Sequence, residues 1–141
     1  MDKTGLFWKL VPERTLAIEA RSGGKKSKDR ITLALIYNGD GSDKLEPWII
    51  GRSKNPCCLK HIKNRCLLCI EYRYNKSKWM TGLIMEEYLY WLDNKIKAKG
   101  KKILLLLDNF SGHKLGVQLV GGLEGLGNIK IAWLPANTIL Y

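Results

Sequence analysis

Ile103-Leu104-Leu105-Leu106-Leu107-Asp108-Asn109 is a run of five large aliphatic residues halted by an acid and an amide. A continuous apolar run of this length is strand-sized, and such strands are ordinarily buried on both faces, at the centre of a sheet with helices over it. Upstream, Met80, Leu83, Ile84, Tyr88, Trp91, Leu92 and Ile96 recur at helical spacing. They predict a helix over residues 79–99, with Glu86 and Glu87 off the apolar stripe and Gly100 as its stop. Downstream, Gly116, Gly121, Gly122, Gly125 and Gly127 interrupt the chain. That segment reads at best as a short helix, because each interior glycine costs about 1 kcal/mol relative to alanine. Residues 129–134 form a last strand, closed by Pro135. A strand–helix–strand order implies parallel pairing through a right-handed crossover.

The first half of the chain has a different rhythm. Residues 31–37 read as a strand, Asn38-Gly39-Asp40-Gly41 as a turn, and residues 45–50 as the returning strand of a hairpin. Pro47 has no N–H for a ladder, which predicts that this returning strand lies at a sheet edge. Residues 5–12 read as extended, residues 69–74 as a further strand, and residues 21–30, rich in Ser, Gly and Lys, as an exposed loop. The expected fold class is α/β in one domain over residues 1–141: an antiparallel meander followed by parallel strands, with flanking helices.

Composition limits the function. With 45% hydrophobic and 26% charged residues, the chain has the make-up of an ordinary globular protein. No apolar run approaches the roughly 20 residues of a membrane span, and Asp2, Lys3 and Lys9 interrupt any secretory leader. A net charge of +11 and a pI near 9.6 make a polyanion the natural partner. No long helix sets a basic face against a fully apolar one, which argues against a membrane surface. Cys66 and Cys69 have zinc-ligand spacing, and His61 with Cys57 or Cys58 could complete a set. The adjacency of Cys57 and Cys58, and the apolar run through Cys69, favour buried free thiols instead.

In open α/β sheets, sites gather at the carboxyl ends of strands, and Asp108 occupies such an end. On spacing alone its plainer reading is a strand terminator, or a cap for the segment beginning near Ser111. His113, as a lone loop histidine, reads first as a surface or packing residue. The sharper reading is two-metal phosphoryl chemistry, in which carboxylates on neighbouring strands hold paired divalent ions over a phosphodiester. Asp108 would then need a partner, and Asp2, beside the extended segment at residues 5–12, is the candidate.

Several blocks, in order, then resemble one family. Asp2-Lys3-Thr4-Gly5-Leu6-Phe7-Trp8-Lys9-Leu10-Val11-Pro12 resembles the D-E-T-G-L-F-W-K-L-L-P opening of the DDE endonuclease domain of pogo-like, Tigger-like and jerky-like transposases. Lys28-Asp29-Arg30-Ile31-Thr32 is similar to its K-x-R-I-T strand start, Leu104 to His113 to its second acidic motif, and Asn128 to Thr138 to the strand leading to its third. The resemblance implies a ribonuclease-H-like fold, incomplete here, whose transposase ancestors cut and transferred DNA strands. It makes Asp2 and Asp108 the first and second catalytic acids and ligands of Mg2+ or Mn2+, with Asn109 and His113 behind them. DNA becomes the expected partner, held by phosphate contacts from Lys25, Lys26, Lys28 and Arg30; no membrane is expected, and the location is the nucleus. Homo-oligomerisation is left open for a full-length transposase. The family is similar to centromere protein B in descent, so a domesticated, catalytically inactive DNA-binding module or a degenerate transposon remnant is the alternative. Two departures bear on chemistry: Lys3 stands where the family usually has Glu, and the family's third acid, in a Q-P-x-D motif, is expected beyond Tyr141.

Overall fold

The computed structural model describes residues 1–9, 29–62 and 68–135. Strand β1 (Asp2–Phe7) pairs antiparallel with β2 (Arg30–Leu35), in a register running from Asp2 opposite Leu35 to Phe7 opposite Arg30. Next to β2 lies β3 (Trp48–Gly51), also antiparallel, and β4 (Glu71–Tyr74) completes this four-stranded sheet in parallel with β3. A four-residue helix, α1 (Cys57–Lys60), follows β3. The long helix α2 (Gly82–Ala98) leads to β5 (Ile103–Leu107), then α3 (Ser111–Leu119), then β6 (Ile129–Trp133), which pairs parallel with β5. The expected mixed α/β architecture is present, meander first and parallel pair last.

One hydrogen bond joins the two sheets at the point that matters for the site. The Met1 nitrogen donates to the Leu106 carbonyl at 3.1 Å, which sets the start of β1 against the end of β5. Asp2 and Asp108 are thereby neighbours of one junction, although 105 residues separate Met1 from Leu106.

The core follows from side-chain alternation and helical period. Residues paired across β1, β2 and β3 share a face, so Ala34, Trp48 and Ile50 point together and are buried with Met85, Tyr88, Leu89, Leu92 and Ile96 of α2. Trp48 meets Tyr88 edge to face at 5.1 Å between ring centroids. Leu105, Leu107, Ile129 and Ile131 join the same cluster, with Val117 of α3. Helix α2 starts at Thr81, whose hydroxyl accepts from the Ile84 N–H at 3.4 Å, and ends before Gly100 at φ +62°. Asp93 accepts from the Asn128 backbone N–H at 2.8 Å, anchoring α2 to the start of β6.

Four expectations need correction. Strand β5 is covered on one face only: Leu105 and Leu107 are buried, whereas Leu104 and Leu106 are 63% and 46% exposed. Strand β3 is not at an edge, for it lies between β2 and β4. It begins at Trp48, so Pro47 stands just before the ladder and its missing N–H breaks nothing. The buried stripe of α2 is rotated from the one expected, with Leu83 70% exposed and Met85 and Leu89 fully enclosed. Cys57, Cys58 and Cys69 are exposed rather than buried. Cys66 lies outside the described residues, among which no group of three His, Cys, Asp or Glu side chains could hold a metal. Among the described residues, too, no helix is long and apolar enough to cross a membrane.

The rotation of α2 has a steric cause. A Cβ on Gly116 would lie 2.5 Å from both Cβ and Cγ of Met85 and 3.1 Å from the Gly82 carbonyl, and one on Gly82 would lie 2.5 Å from Leu115. These glycines are the contact between α2 and α3, which explains a helix that propensity alone disfavours. We expect Gly116→Val to destabilise the domain by about 1–3 kcal/mol through overpacking, read by urea unfolding. Gly127→Ala, whose added carbon meets nothing within 4 Å, serves as the neutral reference. Equal stability of the two variants would show that the helices do not meet at these glycines.

A candidate acidic site built on Asp2 and Asp108

Asp108 follows directly on β5, at its carboxyl end, and its side chain is 50% exposed. Asp2 is the first residue of β1 and is exposed, its Oδ1 accepting from the Lys3 backbone N–H at 2.7 Å. Alternation along β1 sends Asp2 to the face shared with Leu35 and Lys3 to the opposite face, shared with buried Ala34. A lysine at an inward-facing register position is the least expected feature of the site. Its Nζ is buried, has no hydrogen-bond partner among the described residues, and lies 2.9 Å from the centroid of the Phe110 ring. Such cation–π contact partly replaces lost hydration. Burial still pulls the Lys3 ammonium down to about 8, against the opposing pull of Asp108 and then Asp2.

His113 is the second enclosed group. It sits on α3, not in a loop, and is completely buried. Its Nδ1 lies 2.5 Å from Asp108 Oδ1, and its Nε2 has no hydrogen-bond partner among the described residues. The Phe110 ring meets the imidazole edge to face at 5.5 Å. Burial first, and the nearby Lys3 charge second, hold the His113 pKa below its ordinary value, more than Asp108 raises it. The imidazole is therefore neutral near pH 7.

Asn109 acts as a clamp: its Nδ2 donates to the Leu134 carbonyl at 2.7 Å, tying the exit of β5 to that of β6. Arg30 belongs to β2, and its guanidinium lies 3.9 Å from the centroid of the Trp79 ring, which in turn stacks on Phe110 at 6.4 Å. Lys25, Lys26 and Lys28 lie outside the described residues. The structure thus gathers Asp108, His113 and Asn109 at one strand end, with Lys3 and Phe110 inserted among them. Lys3 was singled out from sequence as a cation beside the first acid, and counting β1 in twos from Asp2 sends it inward; Phe110 was missed.

These residues can be tested against the divalent ions that the resemblance implies. Paired ions need several converging hard oxygen donors. Asp108 has His113 beside it, but among the described residues no three His, Cys, Asp or Glu side chains, Asp2 included, group so as to hold a metal, and a buried lysine ammonium lies over the neighbouring Phe110 ring. As they stand, the described residues do not fit a two-metal site.

Comparison with known proteins shows where this arrangement belongs. The family profile described as DDE superfamily endonuclease matches residues 28–140. The chain belongs to the DDE superfamily of endonuclease domains. It is 36% identical over 140 residues to CENP-B homolog protein 2 of Schizosaccharomyces pombe, covering 98% of this chain and 27% of that protein. It is 37% identical over 138 residues to mouse Tigger transposable element-derived protein 4, covering 96% and 25%. To ARS-binding protein 1 of Schizosaccharomyces pombe it is 35% identical over 141 residues, covering 98% and 26%. The chain thus spans about a quarter of the length of these relatives. No solved structure is a significant match. Of the two acids, Asp108 lies inside the stretch matched by the DDE family profile and Asp2 precedes it.

The neutral, buried His113 gives a pH prediction. Its folded pKa is lowered from 6.5, so as pH falls below that value the unfolded chain takes up a proton that the folded chain resists. The stability contributed is present above that value and lost below it. Asp108 and Lys3 are the charged groups acting on the ring. In urea unfolding between about pH 7 and pH 5, His113→Leu should lose less stability than the wild type; identical slopes would mean that the imidazole is not held neutral.

Proposed function

We propose that this chain is a nucleic-acid-binding DDE-family domain that engages DNA in the nucleus, descended from a domain that cut and transferred DNA strands with divalent metal. The observation that carries the reading is the net charge of +11, with a lysine ammonium buried over the Phe110 ring two residues after Asp108. Charge of that size favours a phosphate backbone and releases its counterions on binding. Two relatives carry names that refer to ARS binding and to CENP-B, which supports chromosomal DNA as the partner. Phosphate contacts are assigned to Lys25, Lys26, Lys28 and Arg30. Arg30 keeps guanidinium N–H groups for this purpose while its plane rests on Trp79. Homo-oligomerisation is assigned to the full-length protein of which such a domain is a part.

The test is fluorescence anisotropy with a duplex of mixed sequence. Affinity should fall by at least tenfold between about 50 and 200 mM salt. Replacing Lys25, Lys26 and Lys28 together by Gln should weaken binding and flatten that slope. Binding absent at the lower salt would overturn the proposal.

A second reading, strand cleavage with Mg2+ or Mn2+ on Asp2 and Asp108, is favoured by one observation: the Asp108 carboxyl is half-exposed at a strand end, open to a phosphodiester. A supercoiled-plasmid nicking assay separates the two readings. We expect no nicking above the protein-free rate; nicking abolished by Asp108→Asn would establish the second reading.

A further inference from the structure

The buried ammonium at the acidic site has no obvious structural return. Lys3 Nζ is removed from solvent, has no hydrogen-bond partner among the described residues, and is held over the Phe110 ring. A lysine in a strand can ordinarily extend its stem and return its charge to water. This one turns inward, opposite buried Ala34, where its charge acts on Asp108 first and Asp2 second. Phe110 lies two residues after Asp108 and contacts His113, whose Nδ1 approaches the Asp108 carboxylate. The ring that carries the ammonium is thus fixed against an imidazole that meets the acid. Lys3 also follows Asp2 directly, and its own N–H is hydrogen-bonded to the Asp2 carboxylate.

From this geometry we infer that the Lys3 ammonium is a resident cation for the Asp2/Asp108 pair, taking the place of a divalent ion and keeping the pair from recruiting one. Charge and donor chemistry both act in this direction. A fixed cation lowers the negative potential that would attract Mg2+ or Mn2+. Those ions also need several oxygen ligands or bound waters at about 2.0–2.2 Å, and the groups placed next to Asp108 are an imidazole, an aromatic ring and an ammonium rather than further oxygens. The pair persists as an electrostatic partner for lysine, and the cluster is closed by protein charge. The inference rests on reading Asp2 and Asp108 as the retained acidic pair, and metal binding without DNA tests it separately from nucleic-acid affinity.

The experiment is a titration of the full chain at pH 7 with Mn2+ alone, following free Mn2+ by electron paramagnetic resonance and, in parallel, the thermal unfolding midpoint. Five proteins are compared: wild type, Lys3→Arg, Lys3→Met, Asp108→Asn and Lys3→Met with Asp108→Asn. Methionine keeps an unbranched apolar stem against Phe110 while removing the charge. Wild type and Lys3→Arg should show no saturable uptake below about millimolar Mn2+ and no rise in midpoint. Lys3→Met should bind at least about tenfold more tightly, with a rise in midpoint that the added Asp108→Asn abolishes. Saturable uptake by the wild type, lost in Asp108→Asn, would overturn the inference whether or not the Lys3 variants fold. So would a folded Lys3→Met that binds no more tightly than wild type.

Discussion

The approach of α3 to α2 through Gly82 and Gly116 is the constraint on which the site depends. With hydrogen in place of a side chain at both positions, the α3 backbone settles against Met85 and the Gly82 carbonyl at distances that a Cβ would forbid. That depth carries His113 and Phe110 under the end of β5, where His113 becomes completely buried and Phe110 can receive the Lys3 ammonium. A helix held a few ångströms farther out would leave the histidine to water and Asp108 with solvent alone. Two residues that weaken the helices in isolation therefore fix the chemistry at the strand end.

Electrostatics at that end work against the usual trend. Surface acids and bases elsewhere pair across exposed positions, as Lys99 does with Asp43 at 3.0 Å and Arg73 with Glu87 at 2.8 Å, and such pairs contribute little. At the candidate site the base is buried and the acids are exposed. The ammonium bears most of the desolvation, while Asp2 and Asp108 keep much of their hydration. An arrangement with its cost on the lysine is retained only where the surroundings over-determine it. Here β1 register, the Phe110 ring and the α2–α3 contact together do so.

Much of this was legible in the residues. The long helix, its stop at Gly100, the parallel strands on either side of α3, and the turn at Asn38 through Gly41 follow from periodicity and from glycine and asparagine chemistry, all of which act locally. The family was legible because many short blocks recur in order. What could not be read was set by contacts distant in sequence. Pro47 was expected at an edge because proline breaks ladders, but the strand starts one residue later. Leu83 and Met85 are equally apolar, and Met85 is the one enclosed because it meets Gly116 and the core, contacts distant in sequence. His113 looked like a loop histidine until the glycine-interrupted segment proved to be a packed helix.

Strand β5 was expected to be buried on both faces, and its departure ties composition to architecture. Five aliphatic residues in succession suit a strand covered on each side, since alternation would otherwise place polar residues at 104 and 106. Among the described residues only the helix side is covered, and Leu104 and Leu106 lie on the bare face. Leu35 and Leu6, on the face of β1 and β2 that also carries Asp2, are likewise exposed. One acid of the pair thus belongs to the uncovered face of its sheet, while Lys3 and His113 belong to the buried side. The candidate site lies across the sheet junction, with Asp2 on the open face and the lysine charge on the core side. Removing the buried Lys3 charge therefore leaves the exposed surface in place, which is why its effect can be told apart from a loss of binding surface.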